Sequence, residues 1–299
     1  MIKEIRHYLK VIDKNTGDVV EGARVFSDEE LKRSMELYGD EYLANLQSDE
    51  IGQCIAYIIK DESCLTKLLP QTIARLFYLS TYMHNEDGIL RDDDNRILSK
   101  AKMLYILGLQ RKSFDSFFAE VTDAGYLVKD DRGCFHIAGG EFYEGKLPKN
   151  NRKPFTKIYV DTMQYLYRIT PQSKHRYLGY IFMMLPFVNK KYNIICSNPK
   201  ETTLELIEPM TVGDFCDKVG YGRSNASRLI RAYKDIVFEY GKIQQQFCSF
   251  VADPDKTKAS IFCNPHVFYS GADLPDVEKL GMFCAYRNEK GIVNRKPTM

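Results

Sequence analysis

The stretch GYGRSNASRLIRAY, residues 220–233, holds three arginines, three small polar residues and no acid. Ala226, Leu229, Ile230 and Tyr233 follow the i, i+3, i+4, i+7 spacing of a helix that buries one side. The outward positions are then Ser224, Ser227, Arg228 and Arg231, with Arg223 and Asn225 at the leading end. Guanidinium groups bind an edge or an anion through two parallel N–H groups, an asparagine amide offers a donor and an acceptor together, and hydroxyls donate to phosphate. That set suits a nucleic acid: arginine against guanine, asparagine against adenine, serine against the backbone. The alternative is an ordinary solvated helix face.

The surrounding elements favour the first reading. Thr211 caps a short helix that stops at Gly220, a residue suited to a left-handed turn, and the basic helix starts two or three residues later. Two candidate strands follow, residues 246–252 and 259–263, around a polar turn at residues 253–258. Helix, glycine turn, helix and hairpin form the plan of a winged helix-turn-helix, whose third helix enters the major groove of DNA.

A weaker copy of the plan precedes it. Pro70-Gln71-Thr72 and Pro171-Gln172-Ser173 each open an apolar helical stretch, 101 residues apart, with Arg75 matching Arg176. Ser99, Gly108 and Arg111 match Thr211, Gly220 and Arg223 at an offset of 112, and Phe142-Tyr143-x-Gly145 matches Phe268-Tyr269-x-Gly271 at 126. The offset only grows, as it does when the second copy carries longer loops. Gly88-Ile89-Leu90 and Asn193-Ile194-Ile195-Cys196 are the extended segments between the first and second helices. The first copy's hairpin is predicted at residues 126–129 and 134–137.

The first copy's third helix, RKSFDSFFAEVTDAG, keeps an apolar stripe at Phe114, Phe117, Phe118 and Val121. Its outward positions are Lys112, Asp115, Ser116 and Ala119, so the counterparts of Arg228 and Arg231 are gone. Arg111, Lys112 and Ser113 are left as candidate contacts at its leading end. Further along, Asp115, Glu120 and Asp123 would repel phosphate. This copy either touches DNA weakly or serves as a packing or dimerisation domain.

Additional cations flank these helices. Lys256 and Lys258 lie in the second hairpin's turn, partly offset by Asp253 and Asp255. Lys149, Arg152 and Lys153 belong to a proline-bounded basic linker, which either follows the DNA backbone or is a solvated tether. The expected organisation is an acidic extension (1–68, a hairpin and a helix), winged-helix domain 1 (69–146), the linker (147–154), winged-helix domain 2 (155–271) and a tail (272–299). The fold class is α+β, mainly α.

Composition is that of a water-soluble globular protein: 299 residues, 44% hydrophobic, 27% charged, with 42 basic and 40 acidic side chains and net charge +2. An anionic partner must therefore be met by a local patch. The eight cysteines include no C-x-x-C pair, so reduced, mostly buried thiols and no metal are expected. No leader-like apolar segment opens the chain, and the longest apolar run, about 12 residues, is too short for a bilayer, which points to the cytoplasm and away from membranes. The histidines at 7, 84, 136, 175 and 266 have no nucleophile or metal partner at a recognisable spacing. Gly220-Tyr221-Gly222 lacks the third glycine of a dinucleotide fingerprint, and Asp92-Asp93-Asp94 reads as a solvated loop. No enzyme and no cofactor are expected.

Residues 155–271 resemble the winged-helix replication proteins of plasmids and phages of Gram-positive bacteria. The likeness rests on Phe155-Thr-Lys157-Ile-Tyr159 before an apolar helix, on Asn193-Ile194-Ile195, on the helix-turn-helix, and on Asn264-Pro265 with Phe268-Tyr-x-Gly271. It implies non-catalytic binding of double-stranded origin DNA through Arg223, Ser224, Asn225, Ser227 and Arg228; whether the chain acts as a monomer or a homodimer is left open by the sequence. The second copy and the acidic extension depart from that family's single-domain pattern. A second class of function is a phage-type protein-interaction or anti-defence factor, whose winged helices dock a host protein and whose acidic residues 1–68 compete for a nucleic-acid surface.

Overall fold

Two short strands, 101 residues apart in sequence, pair at the centre of a four-stranded sheet. β1 (Cys54–Ile58, CIAYI) and β5 (Phe155–Tyr159, FTKIY) run antiparallel, with Ala56 opposite Lys157. β4 (Phe142–Glu144) adds to the free edge of β1 and β10 (Phe268–Tyr269) to that of β5, giving the order β10-β5-β1-β4. The outer pairings repeat: Tyr57 faces Phe142 as Ile158 faces Phe268, and Ala56 faces Tyr143 as Lys157 faces Tyr269. These observations come from a computed structural model. It describes residues 54–58, 64–83, 88–138, 140–144, 154–240, 243–252, 259–271, 280–281, 284–285, 287–288 and 291–292. All of them belong to the compact unit Gln47–Met299.

β1 lies inside the stretch that the sequence assigns to an acidic extension. Residues 54–58 are a central strand, so the first copy begins earlier than residue 69. The hairpin and helix expected around residues 8–46 lie outside the described residues.

Behind the sheet, α1 (Pro70–Ser80) packs on α5 (His175–Met183), each entered at a proline. Pro70 sits in the first turn, where its missing N–H is no loss. Phe77 and Phe182 stack between the helices with centroids 4.4 Å apart. The approach is closest at Gly179, where an added Cβ would stand 1.7 Å from the Pro70 carbonyl oxygen. α4 (Val160–Ile169) continues from β5 and lays Tyr167 on Tyr78 of α1, centroids 3.9 Å apart.

From there each copy follows the same course. Gly88 and Asn193 both take positive φ, 66° and 54°, at the entry to the extended segments. Leu90 then donates to the Phe135 carbonyl and Ile195 to the Ile261 carbonyl, each at 3.0 Å. α2 (Lys100–Leu107) is capped by the Ser99 hydroxyl, and α6 (Val212–Lys218) by Thr211 in a reciprocal box with Asp214. Gly108 and Gly220 make the turns at φ 63° and 66°. α3 (Arg111–Asp123) and α7 (Ala226–Lys234) follow, the latter through a 3-10 turn at Arg223–Asn225.

The hairpins come next: β2 (Leu127–Lys129) with β3 (Phe135–Ile137), and β8 (Cys248–Ala252) with β9 (Ala259–Cys263). The second copy differs from expectation here. Between α7 and β8 it inserts a further hairpin, β6 (Val237–Tyr240) with β7 (Ile243–Gln246). Gln246 therefore ends the inserted hairpin and does not start the 246–252 strand. The Phe247 N–H donates to the Ile236 carbonyl at 3.0 Å and closes the insertion at its base. A last pair, β11 (Arg287–Asn288) with β12 (Gly291–Ile292), stands apart.

The fold is thus mixed α/β, with seven α-helices and small antiparallel sheets among the described residues. One continuous core takes Phe77, Phe114 and Phe117 from the first copy and Phe182, Phe215 and Phe247 from the second. A smaller cluster gathers Tyr159, Phe262, Tyr269, Leu280 and Cys284. Cys54, Cys134, Cys196, Cys216, Cys248, Cys263 and Cys284 are free thiols, all but Cys54 buried.

Candidate nucleic-acid interface

The rotation of α7 is set from its buried side. Leu229 and Tyr233 are fully buried, and Ala226 and Ile230 half-buried. The Tyr233 hydroxyl donates to the Tyr177 carbonyl at 2.9 Å, and its ring meets Tyr177 and Phe215 edge-on. Ser224, Asn225, Ser227, Arg228 and Arg231 are left exposed. Arg228 and Arg231 make no ion pair among the described residues.

Arg223 is engaged differently. Its guanidinium reaches back to α6, 2.9 Å from the Asp217 carboxylate and 3.4 Å from that of Asp214. Two of the three arginines in this segment therefore present unneutralised charge. The third ties the two helices together across the turn.

In α3, Phe114, Phe117 and Val121 are buried and Phe118 is half-buried, so the expected stripe forms. Lys112, Ser113, Ser116 and Ala119 are exposed. Arg111 binds Asp115 within its own helix at 3.0 Å, and Lys100 stands 3.6 Å from the same carboxylate. Glu120 does not project as an isolated acid. It turns back to α1 and accepts from the Leu69 N–H and from the Thr72 hydroxyl, the latter at 2.6 Å. A carboxylate at the entry of α1 satisfies an orphan N–H there and complements the helix dipole. The first copy's face thus has fewer free acids than the sequence suggests, but its leading arginine is consumed as well.

The first hairpin is likewise self-neutralised. Partial burial, the largest influence on Asp130, opposes its charge. The Cys134 N–H at 2.7 Å and the Arg132 and His136 side chains outweigh it and hold the carboxyl at about 2. Lys256, Lys258, Lys149, Arg152 and Lys153 lie outside the described residues.

One cation near α7 was not singled out as a contact from sequence. Arg176 occupies the first turn of α5, and its guanidinium donates to the Tyr177 hydroxyl at 3.1 Å and sits 4.9 Å from that ring. Tyr180 packs beside it, and Tyr221, in the turn before α7, meets Tyr180 edge-on at 5.5 Å. The Arg176 Nε is buried without a hydrogen-bond partner. Its match to Arg75 in the repeat was the available signal.

The copies also touch unequally at their turns. Tyr167 and Gln172 of the second copy donate to the Leu107 and Gly108 carbonyls at the end of α2. These are the last carbonyls of that helix, which otherwise need solvent.

Among the described residues no group of three or more His, Cys, Asp or Glu side chains could hold a metal ion, and no helix is long and apolar enough to cross a membrane. Comparison with family models, curated proteins and solved structures finds no match to this chain.

Proposed function

We propose that the chain is a sequence-specific, double-stranded DNA-binding protein with two winged-helix units, non-catalytic and cytoplasmic, of the plasmid or phage replication-initiator or regulator type. The observation that carries this reading is the outer face of α7. It has two exposed arginines without an acidic partner, three small polar side chains at its leading end, and no carboxylate of its own. In this reading Arg228 and Arg231 contact guanine edges or phosphates, Asn225 an adenine, and Ser224 and Ser227 the backbone. Arg223 holds α7 against α6.

The Arg228→Ala, Arg231→Ala double variant tests it. Each lost bidentate contact is worth about 1–3 kcal/mol, so affinity for duplexes selected by the parent protein from a random pool should fall about 30-fold or more. Equal binding by variant and parent at about 150 mM salt would overturn the assignment.

A further inference from the structure

Arg176 stands out among the cations around α7. A guanidinium that is part-buried normally has a carboxylate beside it, because desolvating a charge without compensation is costly. Around Arg176 the described neighbours are three tyrosines, Tyr177, Tyr180 and Tyr221. Their rings offer π-faces and hydroxyls but no negative charge, which leaves the cation held in place and unneutralised.

Its counterpart shows that the arrangement is not simply inherited from the repeat. Arg75, 101 residues earlier, acts on the Tyr167 hydroxyl of the other copy, inside the contact between α1 and α4. Arg176 instead lies beside its own copy's turn, next to the residue that leads into α7. Tyr221 joins the two: it meets Tyr180 of the tyrosine nest edge-on at 5.5 Å and leads through the turn into the helix that carries Arg228. Burial and then the neighbouring Tyr177 phenol raise that phenol above its ordinary value despite both cations, so it stays protonated.

We infer that Arg176, Tyr221 and Arg228 form a clamp for one backbone phosphodiester of duplex DNA, beside the bases that α7 faces. The inference rests on the DNA-binding reading and adds a contact that positions the duplex without reading sequence. Two guanidiniums and a phenolic O–H converge on an anion as charge-assisted donors, and the tyrosine nest fixes Arg176 before binding. Arg176 is thus a positioning residue, and Arg228 serves both the clamp and the base-facing side of α7.

The experiment compares Arg176→Gln and Arg176→Lys with the parent across a salt series. One probe is a duplex selected by the parent from a random pool, and the other is a duplex of unrelated sequence. Removing one phosphate contact should weaken both complexes by a similar factor, about 5- to 30-fold, and lower the slope of log K against log salt by about one. The ratio between the two duplexes should stay unchanged, and Arg176→Lys should keep the parent's slope. A scan of single neutral methylphosphonates along the selected duplex, read with the parent, should find one position of large loss to which Tyr221→Phe has become less sensitive. That scan serves even if Arg176→Gln fails to fold. Unchanged affinity and slope in a folded Arg176→Gln, or no such phosphate in the scan, overturns the clamp. In that case the Arg228→Ala, Arg231→Ala variant still weakens binding if the broader reading holds, and a parent that binds no duplex sinks both.

Discussion

Ala56 and Lys157 face each other across the central strand pair, and each is the other's counterpart in the internal repeat. In an antiparallel pair, residues related by a two-fold axis are directly opposite only where the axis passes between them. The flanking pairings agree, since Tyr57 with Phe142 and Ile158 with Phe268 are the same step in the two copies. The repeated pairings therefore place a pseudo-two-fold axis between Ala56 and Lys157. The shared core depends on α1 and α5 crossing closely beside that axis.

Gly179→Ala should accordingly be among the most damaging small changes. The new methyl would collide with the Pro70 carbonyl, which is backbone and cannot swing aside. A loss of about 3 kcal/mol or more is expected in urea unfolding. Gly213→Ala is the control: its Cβ would press only on the Arg223 guanidinium, from 3.1 Å, and the methyl favours the helix. If Gly179→Ala unfolds at the parent's midpoint, the close crossing of α1 and α5 is wrong.

His175 makes stability depend on pH. It is 2% exposed, its Nε2 is 2.9 Å from the Thr170 carbonyl, and its ring lies against Tyr167. Burial is the main cause that lowers its pKa to about 4. The Thr170 carbonyl opposes the shift, Arg75 adds to it, and the Tyr167 carbonyl opposes again. A depressed histidine pKa means that the unfolded chain binds the proton first. Its contribution is then complete above about pH 6.5 and is lost as pH falls from there toward 4, up to about 3 kcal/mol in all. Urea midpoints across that window should fall for the parent and fall less for His175→Gln. Parallel curves for the two would refute the role of His175.

Arg111→Ala should matter much less for DNA than the paired change in α7. Its guanidinium is already on Asp115, and exposed pairs of this kind are worth about 0–1 kcal/mol. An affinity loss under about five-fold is expected in the same binding assay. A loss as large as that of the Arg228→Ala, Arg231→Ala variant would instead give the first copy an equal share of binding.

Much of this plan was legible in the sequence because local backbone chemistry marks it. Pro70 and Pro171 open helices, Gly108 and Gly220 supply left-handed turns, and the stripe of Leu229 and Tyr233 sets which side of α7 is buried. What stayed hidden depends on distant partners. CIAYI and FTKIY share no residue at matching positions, and with both faces covered β1 lacks the alternation of a half-buried strand. The polar run Gln244-Gln245-Gln246 does not read as a strand until it pairs with β6. Glu120 finds its partners about fifty positions back at Leu69 and Thr72, and Arg223 finds two carboxylates across a turn. No spacing rule connects such residues.

Carrying both strands of the central pair on one chain has a consequence for dilution. Two separate chains joined through such a strand pair and a shared core would still come apart as their concentration fell. Here the partner is always at the effective concentration set by a short tether, on the order of millimolar, so the pairing of β1 with β5 is a unimolecular event. Each half is also free to change without altering its mate. A lysine at the axis of a true homodimer would meet a second lysine directly opposite, whereas Lys157 meets Ala56.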